Sequence, residues 1–221
     1  MSSAVKYYKR TRISREKFLG LLSCFAKDLS ATEAALLTGI TRKTVTSIYL
    51  KLRQRIAQES NEGLALTRLG KDQDGLSCKK CSCGWCRPTV TRSVPVFGLL
   101  SLEGKIIAIP FPDCRTPILR ALIRRRLSVK SVSANGWHGY DALVDAHYPE
   151  PLLLISESFE NRSTVLAIET FWKFTHGRLR KFNGIQNRTF YLHLKESEWR
   201  FNLQERNILE ALFGLLEQDP I

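Results

Sequence analysis

The sequence predicts an α/β protein, with a small helical module in front of a mixed sheet flanked by helices. Three observations carry this expectation. Through residue 60, apolar side chains recur at helical spacing behind capping residues. Beyond residue 94, short apolar runs alternate with helical stretches. Between them, residues 61–93 are rich in Gly, Lys and Cys and read as a connector carrying an insertion. The expected domains are therefore 1–60, the connector 61–93, and 94–221.

The first helix runs from Lys17 to Lys27, with Phe18, Leu21, Leu22 and Phe25 on one face. Ser30-Ala31-Thr32-Glu33 has the form of a capping box, in which Ser30 caps the next helix and Glu33 reaches back. That short helix ends at Gly39, and Ala35 and Gly39 suit a close contact and a tight turn. A third helix starts behind Thr41 and carries Val45, Ile48, Tyr49, Leu52 and Ile56 inward. Two helices joined by a Gly-containing turn, with a third before them, match a helix-turn-helix module. Arg42, Lys43, Thr44, Ser47 and Lys51 then lie near the start of the third helix, where such side chains reach base edges and phosphates.

In the second half, Val94–Leu100 and Lys105–Pro110 flank Glu103-Gly104 and read as a hairpin. Thr116–Leu127 reads as a helix, Val129–Ser133 as a short strand, and Leu152–Ile155 as a further apolar run. A helix from Ser163 carries Val165, Ile168, Phe171, Trp172 and Leu179 and ends at Gly184. A second helix holds Phe190, Leu194 and Phe201, and a third ends near Leu216.

Charge bounds the function. Among 221 residues, 34 Lys and Arg against 21 Asp and Glu leave a formal charge of +13. Residues 1–60 hold 12 of those bases and only 4 acids. A surplus of this kind points to a polyanionic partner, because each base facing a phosphate releases condensed counterions. Duplex DNA is the expected partner. No run of about 18 apolar residues is present, so no membrane partner is expected. Met1–Arg15 lacks an apolar signal core, so a cytoplasmic location is expected. Six cysteines without an export signal read as reduced thiols or metal ligands.

Ile168-Glu169-Thr170-Phe171-Trp172, Arg178-Leu179-Arg180-Lys181-Phe182-Asn183-Gly184-Ile185, Phe190-Tyr191-Leu192-His193-Leu194-Lys195-Glu196 and Glu198-Trp199-Arg200-Phe201-Asn202 form a long pattern. It resembles the C-terminal end of bacterial insertion-sequence transposases with an RNase H-like catalytic domain. Pro95-Val96-Phe97-Gly98-Leu99-Leu100 and the helical module resemble the same family in the same order. The resemblance is weakest over 61–93.

It implies DNA strand cleavage and transfer by two Mg²⁺ ions held by three acids, with the protein acting as a homodimer on DNA, in a bacterial nucleoid. Glu169 matches the third acid. Asn135 stands where the second Asp belongs, in Ser133-Ala134-Asn135-Gly136-Trp137. An amide carbonyl can face a hard cation but brings no charge. Asp141 or Asp145 would substitute only if this loop reshapes. The first acid is Asp72 or Asp74, with Asp74 the better match in spacing. Both also suit turns beside Gly75. His176 stands where relatives carry Lys, and Arg178, Arg180 and Lys181 are expected to contact DNA.

Cys78, Cys81, Cys83 and Cys86 make two C-x-x-C pairs separated by Ser82 alone. Three readings stand: one cramped Zn²⁺ site, free thiols in a mobile loop, or iron–sulfur or redox chemistry. Cys24 and Cys114 sit in apolar surroundings and read as core residues. The expected function is a transposase-like protein that binds element ends with impaired strand cleavage. The alternative is an active metal-dependent transposase.

Overall fold

A computed structural model describes residues 13–65, 96–102, 104–110, 142–145, 149–153, 162–182, 185, 187–203 and 206–221. The expected helix 116–127, strand 129–133, Cys78–Cys86 cluster, Cys114, Asp72, Asp74 and Asn135 lie outside the described residues. The chain divides into two compact units: one takes residues up to Glu62 together with Leu203–Ile221, and the other takes Gly63–Asn202.

In the first unit, helix α1 spans Arg15–Ala26, α2 Ala31–Thr38 and α3 Arg42–Ala65. Ser14 caps α1, its hydroxyl accepting from the Lys17 N–H. Phe18, Leu21, Leu22 and Phe25 are buried as their spacing predicts, and the Phe25 ring meets Tyr49 of α3 edge-on at 4.9 Å. Val45, Ile48, Tyr49, Leu52 and Ile56 form the inner stripe of α3. Arg53 is buried too, its guanidinium lying over the Phe25 and Tyr49 rings. Within α2 the close-contact residue is Ala34, fully buried, rather than the expected Ala35. The last helix, here α6 (Ile208–Gln218), buries Leu212, Leu215 and Leu216 in this unit and packs on α1. The sequence reading had grouped it with the sheet. Its amphipathic period is visible in the chain, but the face it covers is set by tertiary contact.

In the second unit, strands β1 (Val96–Leu102) and β2 (Lys105–Pro110) form the expected hairpin, with Gly104 at φ 75° in the turn. β3 (Ala142–Asp145) and β4 (Leu152–Leu153) complete a sheet in the order β2-β1-β3-β4. All three described ladders are antiparallel, where a mixed sheet was expected. β3 was not anticipated: it is four residues long and buried on both faces, so no alternation marks it. Helices α4 (Arg162–Leu179) and α5 (Asn187–Leu203) flank the sheet. α4 stops at Leu179, five residues before the expected Gly184, in a turn closed by Phe182 N–H donating to the Leu179 carbonyl.

One face of the sheet supplies Phe97, Leu99, Ile106, Ala108, Ala142 and Val144 to a core with Ile168, Phe171, Trp172, Phe190 and Leu194. Burying each large apolar side chain contributes roughly 1.5–3 kcal/mol. α5 then seals the outer edge of β2. The Asn202 amide accepts from the Ile106 N–H at 2.9 Å and donates to the Ile106 carbonyl at 2.7 Å. Two residues along β2, the Glu198 carboxylate accepts from the Ala108 N–H at 2.8 Å. Side chains thus replace a neighbouring strand, and the edge is closed to further pairing.

Candidate nucleic-acid interface

The first candidate surface is built by the α2–α3 pair. Both halves of the predicted capping box are present: Ser30 Oγ accepts from Glu33 N–H, and Glu33 Oε2 accepts from Ser30 N–H at 2.7 Å. Gly39 terminates α2 at φ 65°, a conformation that favours glycine, and its N–H donates to the Ala35 carbonyl. Ile40 turns inward. Thr41 Oγ1 then accepts from Thr44 N–H and shares a hydrogen bond with the Thr44 hydroxyl at 2.9 Å, which caps α3. Three residues therefore separate two helices.

Beyond that turn, Lys43, Ser47, Lys51, Gln54 and Gln58 are all exposed. At about 100° per residue they fall within one narrow arc of α3, opposite Val45 and Leu52. Arg42 and Thr46 are also exposed, on a flank of α3 outside this arc. Over the first four turns α3 contains no acid, Glu59 being the first. The N-terminal end of α3 adds its own partial positive charge beside Arg42 and Lys43. Of the five side chains expected here to touch DNA, Arg42, Lys43, Ser47 and Lys51 are open to solvent. Thr44 is half-buried and its hydroxyl is engaged by the cap. Gln54 and Gln58 continue the same spacing on this arc and are not among the five.

The second surface lies on α4. Its inward stripe is Ile168, Phe171, Trp172, Thr175 and Arg178. Glu169 sits about 100° round the helix from Ile168 and is exposed, so it does not face the sheet as expected of the third acid. Asp74 and Asn135 lie outside the described residues, and among the described residues no group of three or more His, Cys, Asp or Glu is gathered to hold a metal. Asp145 is fully buried at the end of β3, opposite Val96. It is out of phase with Ala142 and Val144, which face α4, so it shares no face with Glu169. His176 is half-buried, its ring 6.0 Å from Trp172.

Arg178 was expected on DNA, and the structure corrects this. Ten residues after Ile168, it falls on the buried stripe. Its guanidinium donates to Ser197 Oγ at 2.8 Å, pairs with Glu196 and lies over the Phe182 ring. Glu196 also pairs with Arg200 at 2.9 Å. Lys195 Nζ reaches both oxygens of Glu198, at 3.0 and 2.8 Å. Burial pushes the Glu198 carboxyl above its ordinary value, while Lys195 and the hydrogen bonds to it pull the other way. Lys195, Glu196, Glu198, Arg200 and Asn202, among the residues that carry the sequence resemblance, thus form the buried ionic layer and edge cap of the sheet. Arg180 and Lys181 remain exposed.

No described helix is long and apolar enough to cross a membrane. No protein-family model matches the chain, and no solved structure matches it. The chain is similar to an uncharacterised transposase-like protein of Haemophilus influenzae, with 33% identity over 119 residues. The match takes in 53% of this chain and 94% of that protein. With nearly the whole of that relative covered at this identity, the chain belongs to the family of transposase-like proteins.

Proposed function

We propose that this protein binds duplex DNA through α2 and α3 as a helix-turn-helix, in the manner of a transposase gripping element ends, with strand cleavage impaired. The observation that carries the reading is the acid-free exposed arc of α3, set behind a three-residue turn and bearing Lys43, Ser47 and Lys51. A helix in the major groove needs such an arc: bases for phosphates, and short polar side chains for base edges. The +13 formal charge supplies the non-specific attraction.

Impaired cleavage rests on donor chemistry. Asn135 offers an amide where Mg²⁺ prefers a carboxylate, and Glu169 and Asp74 alone make a poor ligand set. The active-transposase reading needs full charge at that site, which Asn135 does not provide.

Two assays test the proposal. Binding of a mixed-sequence duplex is measured as a function of salt. Lys43→Glu with Lys51→Glu should weaken it and flatten the salt slope by about 0.9 per lost phosphate contact. Wild-type protein that fails to bind duplex at low salt refutes the reading. Nicking is measured with Mg²⁺ or Mn²⁺: wild type should be nearly inert, Asn135→Asp should gain activity, and Glu169→Ala should remove that gain. Strong wild-type nicking, abolished by Glu169→Ala, would establish the active reading instead.

A further inference from the structure

The most exposed large apolar side chains among the described residues are Leu36 and Leu37 of α2, at 87% and 70%. A single leucine in water needs no explanation, but two side by side on one short helix make a patch. They lie on the side of α2 away from Ala34, which is turned into the core of its own unit. Opposite charges bound the patch. Three residues before Leu36, Glu33 is exposed and carries its negative charge while its carboxylate accepts from the Ser30 N–H. Three residues after Leu36 comes Gly39, also exposed, and the Lys17 ammonium of α1 stands at this end of the helix. A Cβ built on Gly39 would lie 3.9 Å from Lys17 Nζ, and Lys17 is itself open to solvent. α2 thus presents an acid at its first end, leucines in the middle and a base at its last end.

We infer that this face of α2 docks on the same face of a second copy of the chain, the two helices running antiparallel about a two-fold axis at Leu36. Glu33 and Gly39 stand about 4.5 Å of helix rise on either side of that residue. A two-fold axis there lays leucine on leucine and sets Glu33 of each copy against the Lys17 end of the other. A parallel pairing would instead set Glu33 against Glu33 and Lys17 against Lys17. Charge complementarity therefore selects the antiparallel contact, and the opposed helix dipoles favour it too. α2 is only about 12 Å long, so the contact falls short of the area of a permanent dimer and is weak and reversible. The sequence resemblance implies a homodimer on DNA without saying which surface joins the copies. The α2 contact needs no DNA and uses none of Lys43, Ser47 and Lys51, so it does not rest on duplex binding by α3.

The test is sedimentation velocity of the full chain without DNA, over about 1–200 µM, where a contact of this size should give a dimer with a Kd on the order of 50 µM. Leu36→Gln with Leu37→Gln keeps helix propensity at two exposed positions and should weaken the dimer about tenfold or more at an unchanged midpoint temperature. The charges are tested by exchange. Lys17→Glu alone and Glu33→Lys alone each set like charges across the axis, and each should weaken the dimer. Mixed in equal amounts, the two variants can form a heterodimer in which both ion pairs return, so association should exceed that of either alone. Glu33→Lys also gives up one half of the capping box, so its midpoint temperature is read alongside. A wild type that stays monomeric throughout, a dimer that survives Leu36→Gln with Leu37→Gln, or no gain on mixing the folded charge variants overturns the inference. So does a loss of duplex binding in the leucine variant at a concentration where the wild type is monomeric, which would put this face on DNA instead.

Discussion

Exchanging Glu198 for Gln keeps the shape of the side chain while removing its charge from a site with almost no access to water. The Lys195 and Glu198 side chains are 0% and 4% exposed, and the carboxylate also holds the Ala108 N–H. In Glu198→Gln the amide oxygen can still accept from Ala108. Its NH₂ group, in the place of Oε1, then points at Lys195 Nζ, which loses one of its two acceptors and its counter-charge. Removing one member of a buried pair costs about 3–5 kcal/mol, because the other is left uncompensated. For a chain of this length that is roughly 6–20 °C in midpoint temperature. Lys195→Met should cost less, since the carboxyl already pushed up by burial loses the influence of Lys195 and can take a proton. Lys195→Met with Glu198→Gln should fall well short of the sum of the two single changes. Urea unfolding followed by both circular dichroism and tryptophan fluorescence measures all three. A Glu198→Gln cost below about 1 kcal/mol, or strict additivity in the cycle, would show that this layer is not the tightly coupled pair described above.

Three further outcomes are expected. Ser30→Ala removes the acceptor of the α2 capping box and should destabilise the helical unit by about 0.5–2 kcal/mol, read from chemical denaturation. Gly39→Ala meets no atom nearer than Lys17 Nζ at 3.9 Å, so its cost should be purely that of the left-handed backbone, about 1–2 kcal/mol by the same measurement. Cys24 is a buried free thiol whose pKa is raised, by burial first, with Lys27 opposing. A raised folded value means that the native state holds this proton more tightly than the unfolded chain. Its contribution is complete below the ordinary thiol range and is lost as pH rises through the folded value. Alkaline destabilisation should therefore be weaker in Cys24→Ala, and equal pH slopes for the two proteins would contradict the burial argument.

The residues that carry the sequence resemblance are largely those of the buried layer. Glu198, Arg200 and Asn202 stand out as a motif: Glu198 and Asn202 close the β2 edge, while Glu198 pairs with Lys195 and Arg200 with Glu196. Arg178 stands two residues before Arg180 and is chemically identical, yet one is inside and the other outside. Arg178 lies on the buried stripe of α4, whereas Arg180 stands just past the end of the helix.

The sequence by itself determined what is local. Caps, helical periods, the hairpin at Glu103-Gly104, the buried stripe of α1 and the exposed start of α3 all follow from neighbouring residues and backbone preference. Tertiary structure decided whatever depends on partners distant in the chain. The short β3 gains its place from pairing with Val96–Leu99 of β1 and with β4, and α6 finds its partner in α1 some 190 residues earlier in the sequence. Glu169 turned outward and Arg178 inward because a helix shows one arc to the core, and which arc that is depends on what packs against it.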